Sequence, residues 1–281
     1  MTFEIDYAYA CHVGKVRANN EDNFWCCGHF LPVQNKGLEA VRRGSKKKAA
    51  DLPVLAVFDG MGGESCGEVA AHLAAEALDR YYQRQKEQLR RDGEKFVKEA
   101  CLEMDRAVCA YGKENCIAAM GTTLAMLAFT EKGIYACNLG DSRIYRESGG
   151  SFMQISTDHT LGGARFRKAP LTRYLGPREE ELAPEPALRR LPYPGQSQYL
   201  LCSDGITDML SEVELASILS RGEEPEAAVE RILNLALEKG GRDNATVVLC
   251  RVREKRREDK GIGWIRKIWR KHGSSDARFG L

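Results

Sequence analysis

Short apolar runs alternate with helical stretches along the chain, and their order predicts the fold. Phe3 to Tyr9 alternates apolar and polar residues with the period of two typical of a half-buried strand, and Pro53 to Phe58 reads as a short buried strand. Apolar residues three or four positions apart then predict two long helices, Glu64 to about Arg91 and Lys95 to about Tyr111. The later elements are strands at Thr122 to Phe129, Gly133 to Asn138, Arg143 to Arg146, Phe152 to Ile155 and Gln198 to Cys202, helices at Leu210 to Leu219 and Pro225 to Leu237, and a closing strand at Ala245 to Val252. This order predicts an α+β fold in which two stacked antiparallel β-sheets are flanked by helices, an αββα sandwich.

Length and composition are those of a globular protein with a substantial core. The chain has 281 residues, of which 43% are hydrophobic. Its apolar runs are far shorter than the roughly 20 residues of a membrane span, and its first residues carry acids where a signal peptide carries bases. The ten cysteines are scattered without a C-x-x-C pair, which favours reduced, buried thiols. We therefore expect a cytoplasmic protein.

Charge is distributed unevenly and separates an acidic body from two basic segments. The net charge is +2, yet Lys36 to Lys48 carries +5 and Val252 to Leu281 carries +6, which leaves −9 on the rest. Such a body argues against a nucleic-acid-binding core and for one that gathers cations. The Lys36 to Lys48 segment is interpreted as a solvated loop insertion.

Aspartates recur where predicted strands end or begin. Asp59, Asp141 and Asp204 follow apolar strands, and Asp243 precedes the last one; each stands beside Gly, Ser or Asn. Each aspartate could simply cap a turn, but that explanation has to be used four times. Carboxylates gathered at one sheet edge repel each other unless cations neutralise them, and hard divalent ions prefer oxygen ligands. The repetition therefore predicts a metal site.

A polar segment, Gly14 to Asp22, follows the first strand and offers complementary chemistry. Arg17 has a planar guanidinium suited to a phosphate, and Glu21 and Asp22 could hold metal-bound waters. On its own this segment could equally form a surface ion pair of little energetic value.

Together these segments resemble the metal-dependent serine/threonine protein phosphatases of the 2C type, in their bacterial form. The resemblance covers roughly Phe3 to Val252 and is carried by eight motifs in the family's order. The motifs are Gly14 through Asp22 (G-x-x-R-x-x-N-E-D), Val57 to Gly63, Gly121-Thr122-Thr123, Asn138 to Arg143, Ser156 to His159, Leu175-Gly176, Ser203-Asp204-Gly205, and Asp243 to Thr246. The family fold, two stacked antiparallel sheets flanked by helices, agrees with the strand pattern.

The resemblance implies two bound Mn²⁺ or Mg²⁺ ions, a site for a third, weaker ion, and the residues that bind them. Asp59 would bridge two ions, Asp204 and Asp243 would complete one of them, and the backbone carbonyl of Gly60 would bind the other. Asp141 would hold the third, weaker ion together with Asp204. Ions in this arrangement activate a water molecule for attack on phosphorus, so that no phosphoenzyme forms.

The resemblance also implies roles for the polar segment. Glu21 and Asp22 would orient metal-bound waters, and Arg17 would hold the phosphate of a phosphoserine or phosphothreonine in a protein substrate. Such substrates would be proteins that a serine/threonine kinase has phosphorylated.

Two departures from the family pattern limit the analogy. Met61 stands where many eukaryotic members carry a histidine proposed as general acid, and His159 is expected to hydrogen-bond within a loop rather than replace it. The flap beside the active site is reduced to Thr160 to Tyr174, a short basic segment.

The C-terminal segment is expected to lie outside the catalytic domain, which we place at residues 1–252. Residues 253–281 form a basic tail in which Ile262, Ile265, Ile268 and Trp269 share one helical face. Docking on the body or on a partner is favoured over an anionic membrane surface, because the apolar area is small. Two rival functions stay open for the body: a catalytically silent phosphoprotein-binding module, and a metal phosphoesterase for nucleotides or small phosphates.

Overall fold

The computed structural model describes residues 2–46, 51–62, 66–117, 119–161, 169–176, 184–193 and 195–255. Within these ranges the chain forms twelve strands and five helices. The strands are β1 (Thr2–His12), β2 (Asp22–Cys26), β3 (Arg42–Lys46), β4 (Val54–Gly62), β5 (Met120–Thr122), β6 (Leu124–Thr130), β7 (Gly133–Leu139), β8 (Arg143–Ser148), β9 (Ser151–Gln154), β10 (Ala187–Leu191), β11 (Gln196–Cys202) and β12 (Ala245–Lys255). The helices are α1 (Gly67–Arg91), α2 (Gly93–Glu114), α3 (Asp204–Thr207), α4 (Glu212–Leu219) and α5 (Pro225–Glu238).

The strands form two antiparallel sheets, as the sequence predicts. The first sheet has the order β3-β1-β12-β11-β8-β9, and the second has the order β10-β7-β6-β4-β2 with β5 paired to β4. Three apolar clusters hold the layers together. One lies between the sheets around Phe24, Leu127 and Val248, one joins α1 and α2 to the second sheet, and one joins α4 and α5 to the first sheet. The αββα sandwich is therefore confirmed.

Helix ends follow local capping chemistry. The Asp92 side chain accepts a hydrogen bond from the Lys95 N–H at 3.0 Å and begins α2, two residues before the predicted start. Ser211 and Glu214 form a capping box that begins α4. The helix predicted to start at Lys95 therefore starts two residues earlier, and the helix predicted to start at Leu210 starts two residues later. Capping residues determine these helix ends, which the apolar spacing leaves open.

Three strands were not predicted: β2, β3 and β10. The interpretation of Lys36 to Lys48 as a solvated insertion was wrong in part, because Arg42–Lys46 forms β3 and pairs with β1 from Tyr9 to Ile5. The side chains of β3 are mostly exposed at the edge of the sheet, so they lack the apolar alternation that identifies a half-buried strand. Lys47 and Lys48 lie outside the described residues.

The predicted strand from Thr122 to Phe129 is divided at Thr123. The Thr123 N–H donates to the Asp59 carbonyl at 2.9 Å, and the Asp59 N–H donates to Thr123 Oγ1 at 3.0 Å. Thr123 thereby leaves the regular ladder to hold the backbone of Asp59, and the strand divides into β5 and β6.

Two sequence expectations concern membrane spans and thiols. The described helices include none with the length and apolar character needed to cross a bilayer. All ten cysteines fall in the described ranges, and none forms a disulfide. The tail from residue 256 onward and residues 162–168 of the short basic segment lie outside the described residues.

Candidate metal centre

Asp59 lies where β4 leaves the second sheet. Its backbone is opposite Asp22 at the end of the β2–β4 ladder, and the following residue, Gly60, already pairs with Thr122 of β5. The sequence prediction ended the strand at Phe58, whereas β4 continues to Gly62. Asp59 therefore stands at the end of the main sheet but within its strand, which fixes the carboxylate on a rigid backbone.

The other predicted aspartates come from neighbouring strand ends. Asp204 directly follows Ser203 after β11 and opens α3, and Asp243 lies two residues before β12, which pairs with β11. Asp141 lies two residues beyond β7 in the opposite sheet. Two facing sheets thus deliver carboxylates to one end of the sandwich, as the strand-end pattern predicts.

The carboxylates interact strongly with each other. Burial raises the pKa of Asp59 well above its usual value, and the charges of Asp204, Asp22, Asp141 and Asp243 raise it further. Burial, reinforced by Asp243 and Asp141, raises the pKa of Asp204 to about 7. Burial likewise raises the pKa of Asp141. These carboxylates are close enough to oppose each other's ionisation, and a bound cation would relieve that repulsion.

Asp22 lies beneath this cluster and joins its strands. The side chain is only 2% exposed, and its Oδ2 accepts hydrogen bonds from Ser203 Oγ and Thr246 Oγ1, both at 2.7 Å. Burial raises its pKa to about 7, although the two hydroxyl donors oppose the shift. Ser203 precedes Asp204, and Thr246 follows Asp243 by three residues. One buried carboxylate therefore fixes the relative positions of the strands that carry three of the aspartates.

Arg17 lies at the surface of the cluster. Its Nη2 donates to Asp243 Oδ2 at 2.8 Å, and the two side chains are 45% and 18% exposed. The sequence leaves open a surface ion pair for Arg17, and the structure shows an ion pair whose partner, Asp243, is one of the predicted metal ligands. The guanidinium therefore stands at the mouth of the site.

Glu21 and Gly60 meet at the N-terminus of α1. The Gly60 N–H donates to the Glu21 carbonyl at 3.1 Å, and a Cβ on Gly60 would come within 2.1 Å of the Gly67 carbonyl oxygen. Only glycine allows the strand to approach the helix this closely. Burial, followed by the charge of Glu68, raises the pKa of Glu21.

The structure places both residues of the first departure, His159 and Met61. His159 is 8% exposed. Its backbone N–H donates to the Gly140 carbonyl at 3.0 Å, and its ring Nδ1 accepts from the backbone N–H of Gly140 at 3.2 Å. This loop role is the one expected, and it fixes the turn before Asp141. Met61 lies opposite Gly121 in the β4–β5 pairing.

Several supporting residues were quoted in motifs without a role. Asn244 accepts from the Glu21 N–H at 2.8 Å and donates to the carbonyls of Val13 and Asn19, so it holds the Arg17 loop against Asp243. Thr123 Oγ1 also lies 2.7 Å from Ser142 Oγ, beside Asp141. The sequence signal that could have identified them is a hydroxyl or amide residue next to an aspartate, such as Ser142 after Asp141 and Asn244 after Asp243.

The donor set suits a hard divalent cation, although its present contacts would have to change. In the ranges that the structure describes, no three His, Cys, Asp or Glu side chains already stand in an arrangement that could hold a metal ion. Asp243 is paired with Arg17, and burial together with the neighbouring carboxylates raises the pKa values of Asp59 and Asp204. An ion would take the place of the guanidinium at Asp243 and would offset the repulsion among the carboxylates, because carboxylate oxygens are the ligands that Mg²⁺ and Mn²⁺ prefer.

The protein is an αββα sandwich with buried acids at one end, and comparison with known proteins gives its family. Residues 43–239, most of the chain, match the Protein phosphatase 2C family. The chain belongs to this family.

Individual relatives agree with the family match. The chain is 29% identical over 274 residues to the serine/threonine protein phosphatase PstP of Mycobacterium tuberculosis, which covers 90% of this chain and 46% of PstP. It therefore spans about half the length of that relative. The serine/threonine phosphatase stp of Listeria monocytogenes is 27% identical over 254 residues, covering 84% of this chain and 91% of the relative. The PstP catalytic domain in complex with two manganese ions superposes with a TM-score of 0.68 at 28% identity, covering 90% of this chain and all of that one.

Proposed function

We propose that the protein is a metal-dependent phosphatase that removes phosphate from phosphoserine and phosphothreonine in proteins. The observation that carries the proposal is the meeting of Asp59, Asp204 and Asp243 beside Arg17 at one end of the sandwich. Carboxylates gather cations, the guanidinium suits a phosphate, and the two placed together suit phosphoester hydrolysis. The names of the relatives support a protein substrate.

Mn²⁺ or Mg²⁺ would be held by Asp59 as the shared ligand, with Asp204 and Asp243 on one ion and the Gly60 carbonyl on the other. Asp141 would support a third ion together with Asp204. Two such ions lower the pKa of a bound water and so supply the nucleophile at neutral pH without a phosphoenzyme. The two manganese ions of the PstP catalytic domain support a site for two ions.

The remaining side chains bind and orient. Arg17 would exchange Asp243 for the substrate phosphate, because Asp243 would serve as a metal ligand and the planar guanidinium suits two phosphate oxygens. Glu21 and Asp22 orient water, Asp22 through Oδ1, because its Oδ2 is occupied by Ser203 and Thr246. Met61 has no proton to donate, so the proton on the leaving oxygen would come from bound water or from another group.

Substrate class is tested by comparing a phosphothreonine peptide with a nucleotide in Mn²⁺. We expect phosphate release from the peptide and a kcat/KM at least about tenfold lower for the nucleotide. A factor of ten corresponds to a difference of about 1.4 kcal/mol in transition-state binding. The reverse preference would identify a small-molecule phosphoesterase. Tight binding of the phosphopeptide without release of phosphate would identify a silent binding module.

Replacing Arg17 with alanine is expected to raise KM and lower kcat, for a combined loss of about 10²-fold in kcat/KM, because a charge-assisted contact to the reacting phosphate is lost. Arg17→Lys keeps the charge without the planar fork and should recover only part of the activity. Steady-state kinetics and Mn²⁺ calorimetry on the same preparations separate the roles. Unchanged kinetic constants in Arg17→Ala would show that Arg17 forms only a surface ion pair and does not bind the phosphate.

We propose further that residues 1–252 form the catalytic domain, in the cytoplasm, and that the tail serves docking. Every proposed ligand precedes residue 252, so deletion of Gly261 to Leu281 should leave hydrolysis of p-nitrophenyl phosphate intact. Loss of that activity in a folded truncation would show that the tail builds the site. Salt-sensitive sedimentation with anionic vesicles, lost on truncation, would favour the membrane alternative for the tail.

A further inference from the structure

Four exposed basic side chains lie on segments that adjoin Arg17 and its partner Asp243 or that lead to them along the first sheet. They are Lys15, Lys36, Arg42 and Arg242, here called the basic rim. Among the described residues, none of these four side chains forms an ion pair with a carboxylate, whereas nearby Arg43 pairs with Glu226 at 2.8 Å. The rim stands on a body whose remaining charge is strongly negative. Its positive charge is therefore local and available to a ligand.

Lys36 is held directly beside the phosphate-binding arginine. Its Nζ donates to the carbonyl of Ala18, one residue from Arg17. The backbone around it is fixed on the first sheet, because the Val13 N–H donates to the Lys36 carbonyl at 3.2 Å and the Leu38 N–H donates to the Cys11 carbonyl at 2.8 Å. The ammonium group keeps two further N–H donors for a ligand.

Arg42 extends the rim outward along the edge of the first sheet. It begins β3 and lies opposite Tyr9, on the strand that runs on to His12 and the Arg17 loop. Because β3 is an edge strand, the arginine is open to a chain that passes along this side of the site.

Lys15 and Arg242 form the opposite side of the rim. The Lys15 N–H donates to the Gly241 carbonyl at 2.7 Å, which places Lys15 against the residues that precede Asp243. Arg242 is the immediate neighbour of Asp243 and is exposed. Positive charge is thus present on both sides of Arg17.

We propose that the basic rim binds acidic residues on either side of the phosphorylated serine or threonine, so that the enzyme prefers phosphosites in acidic sequence. This inference rests on the proposed phosphatase function and specifies its substrate class. The acidic body would repel such a substrate, and only closely placed cations overcome this, because charges more than about 8 Å apart are screened at physiological salt.

Two phosphothreonine peptides test the inference: one flanked by Asp and Glu, the other by Asn and Gln at the same positions. At low salt the wild-type kcat/KM is expected to be about tenfold higher for the acidic peptide, the sum of several exposed ion pairs. The double variants Lys36→Gln/Arg42→Gln and Lys15→Gln/Arg242→Gln should each lower this ratio about threefold. The preference should also decline with added salt.

Arg221→Gln is the matched control, because Arg221 is an exposed arginine that follows α4 at the opposite end of the first sheet. It should leave the tenfold ratio unchanged. Equal rates for both peptides, or an acidic preference that persists in the rim variants, would overturn the inference while the phosphatase function stands. Failure to hydrolyse either peptide in Mn²⁺ would instead overturn the proposed function.

Discussion

Replacing Asp59 with asparagine is expected to reduce hydrolysis of both p-nitrophenyl phosphate and phosphopeptides by at least about 10³-fold. Asp59 is the carboxylate that every other acid of the cluster acts upon, and it is the proposed shared ligand of two ions. Loss of one element of electrostatic stabilisation commonly costs 10² to 10³-fold, and here two ions would be affected at once.

The fold should tolerate this change, because the substitution removes a buried charge whose pKa is already raised by desolvation. Circular dichroism should be unchanged, and the melting temperature without metal should not fall. Glu230→Gln, on the exposed face of α5, removes one negative charge elsewhere and should keep full activity. Turnover close to wild type in Asp59→Asn at saturating Mn²⁺ would contradict the ligand assignment.

The chelator-treated protein is expected to lose stability as pH rises, and Mn²⁺ is expected to restore it. Burial and mutual repulsion raise the pKa values of Asp22 and Asp204 to about 7, against about 4 for an aspartate in an unfolded chain. Between these values the folded state binds more protons than the unfolded state, so the free energy of unfolding decreases with pH. The stabilising contribution is complete below pH 4 and is lost as pH passes 7.

Thermal melts at pH 5 and pH 8, with and without Mn²⁺, measure this linkage. At pH 8, free Mn²⁺ at 1,000 times its Kd should add about 4 kcal/mol and raise the melting temperature by about 10 °C. At pH 5 the gain should be smaller, because bound protons compete with the ion. Other groups titrate in this range, so the double variant Asp59→Asn/Asp204→Asn is the reference. A pH dependence identical to wild type in this variant would refute the explanation.

Much of the fold could be predicted because its core strands are apolar and its helices are amphipathic. The strands that escaped prediction lie at sheet edges or begin at the site. The exposed side chains of β3 carry no alternation, and β2 begins at Asp22 inside a polar motif. Edge strands are defined by their backbone partners, which a local pattern of side chains does not record.

The membership of the site could also be predicted, but its internal connections could not. Repeated strand-end aspartates indicated that Asp59, Asp204 and Asp243 would meet. No local pattern indicated that Asp22 would accept hydrogen bonds from Ser203 and Thr246, more than 180 residues away. Such contacts depend on the register of β11 and β12, and the register is set by the whole core.

Crystals grown in Mn²⁺ and measured at the manganese absorption edge test whether the strand-end aspartates form the metal centre of a phosphatase. At least two anomalous peaks are expected at this end of the sandwich, with Asp59 bound to both ions and Asp204 and Asp243 bound to one of them. Arg17 should have left Asp243. Absence of anomalous density there at saturating Mn²⁺, or ions bound at residues other than these aspartates, would contradict it.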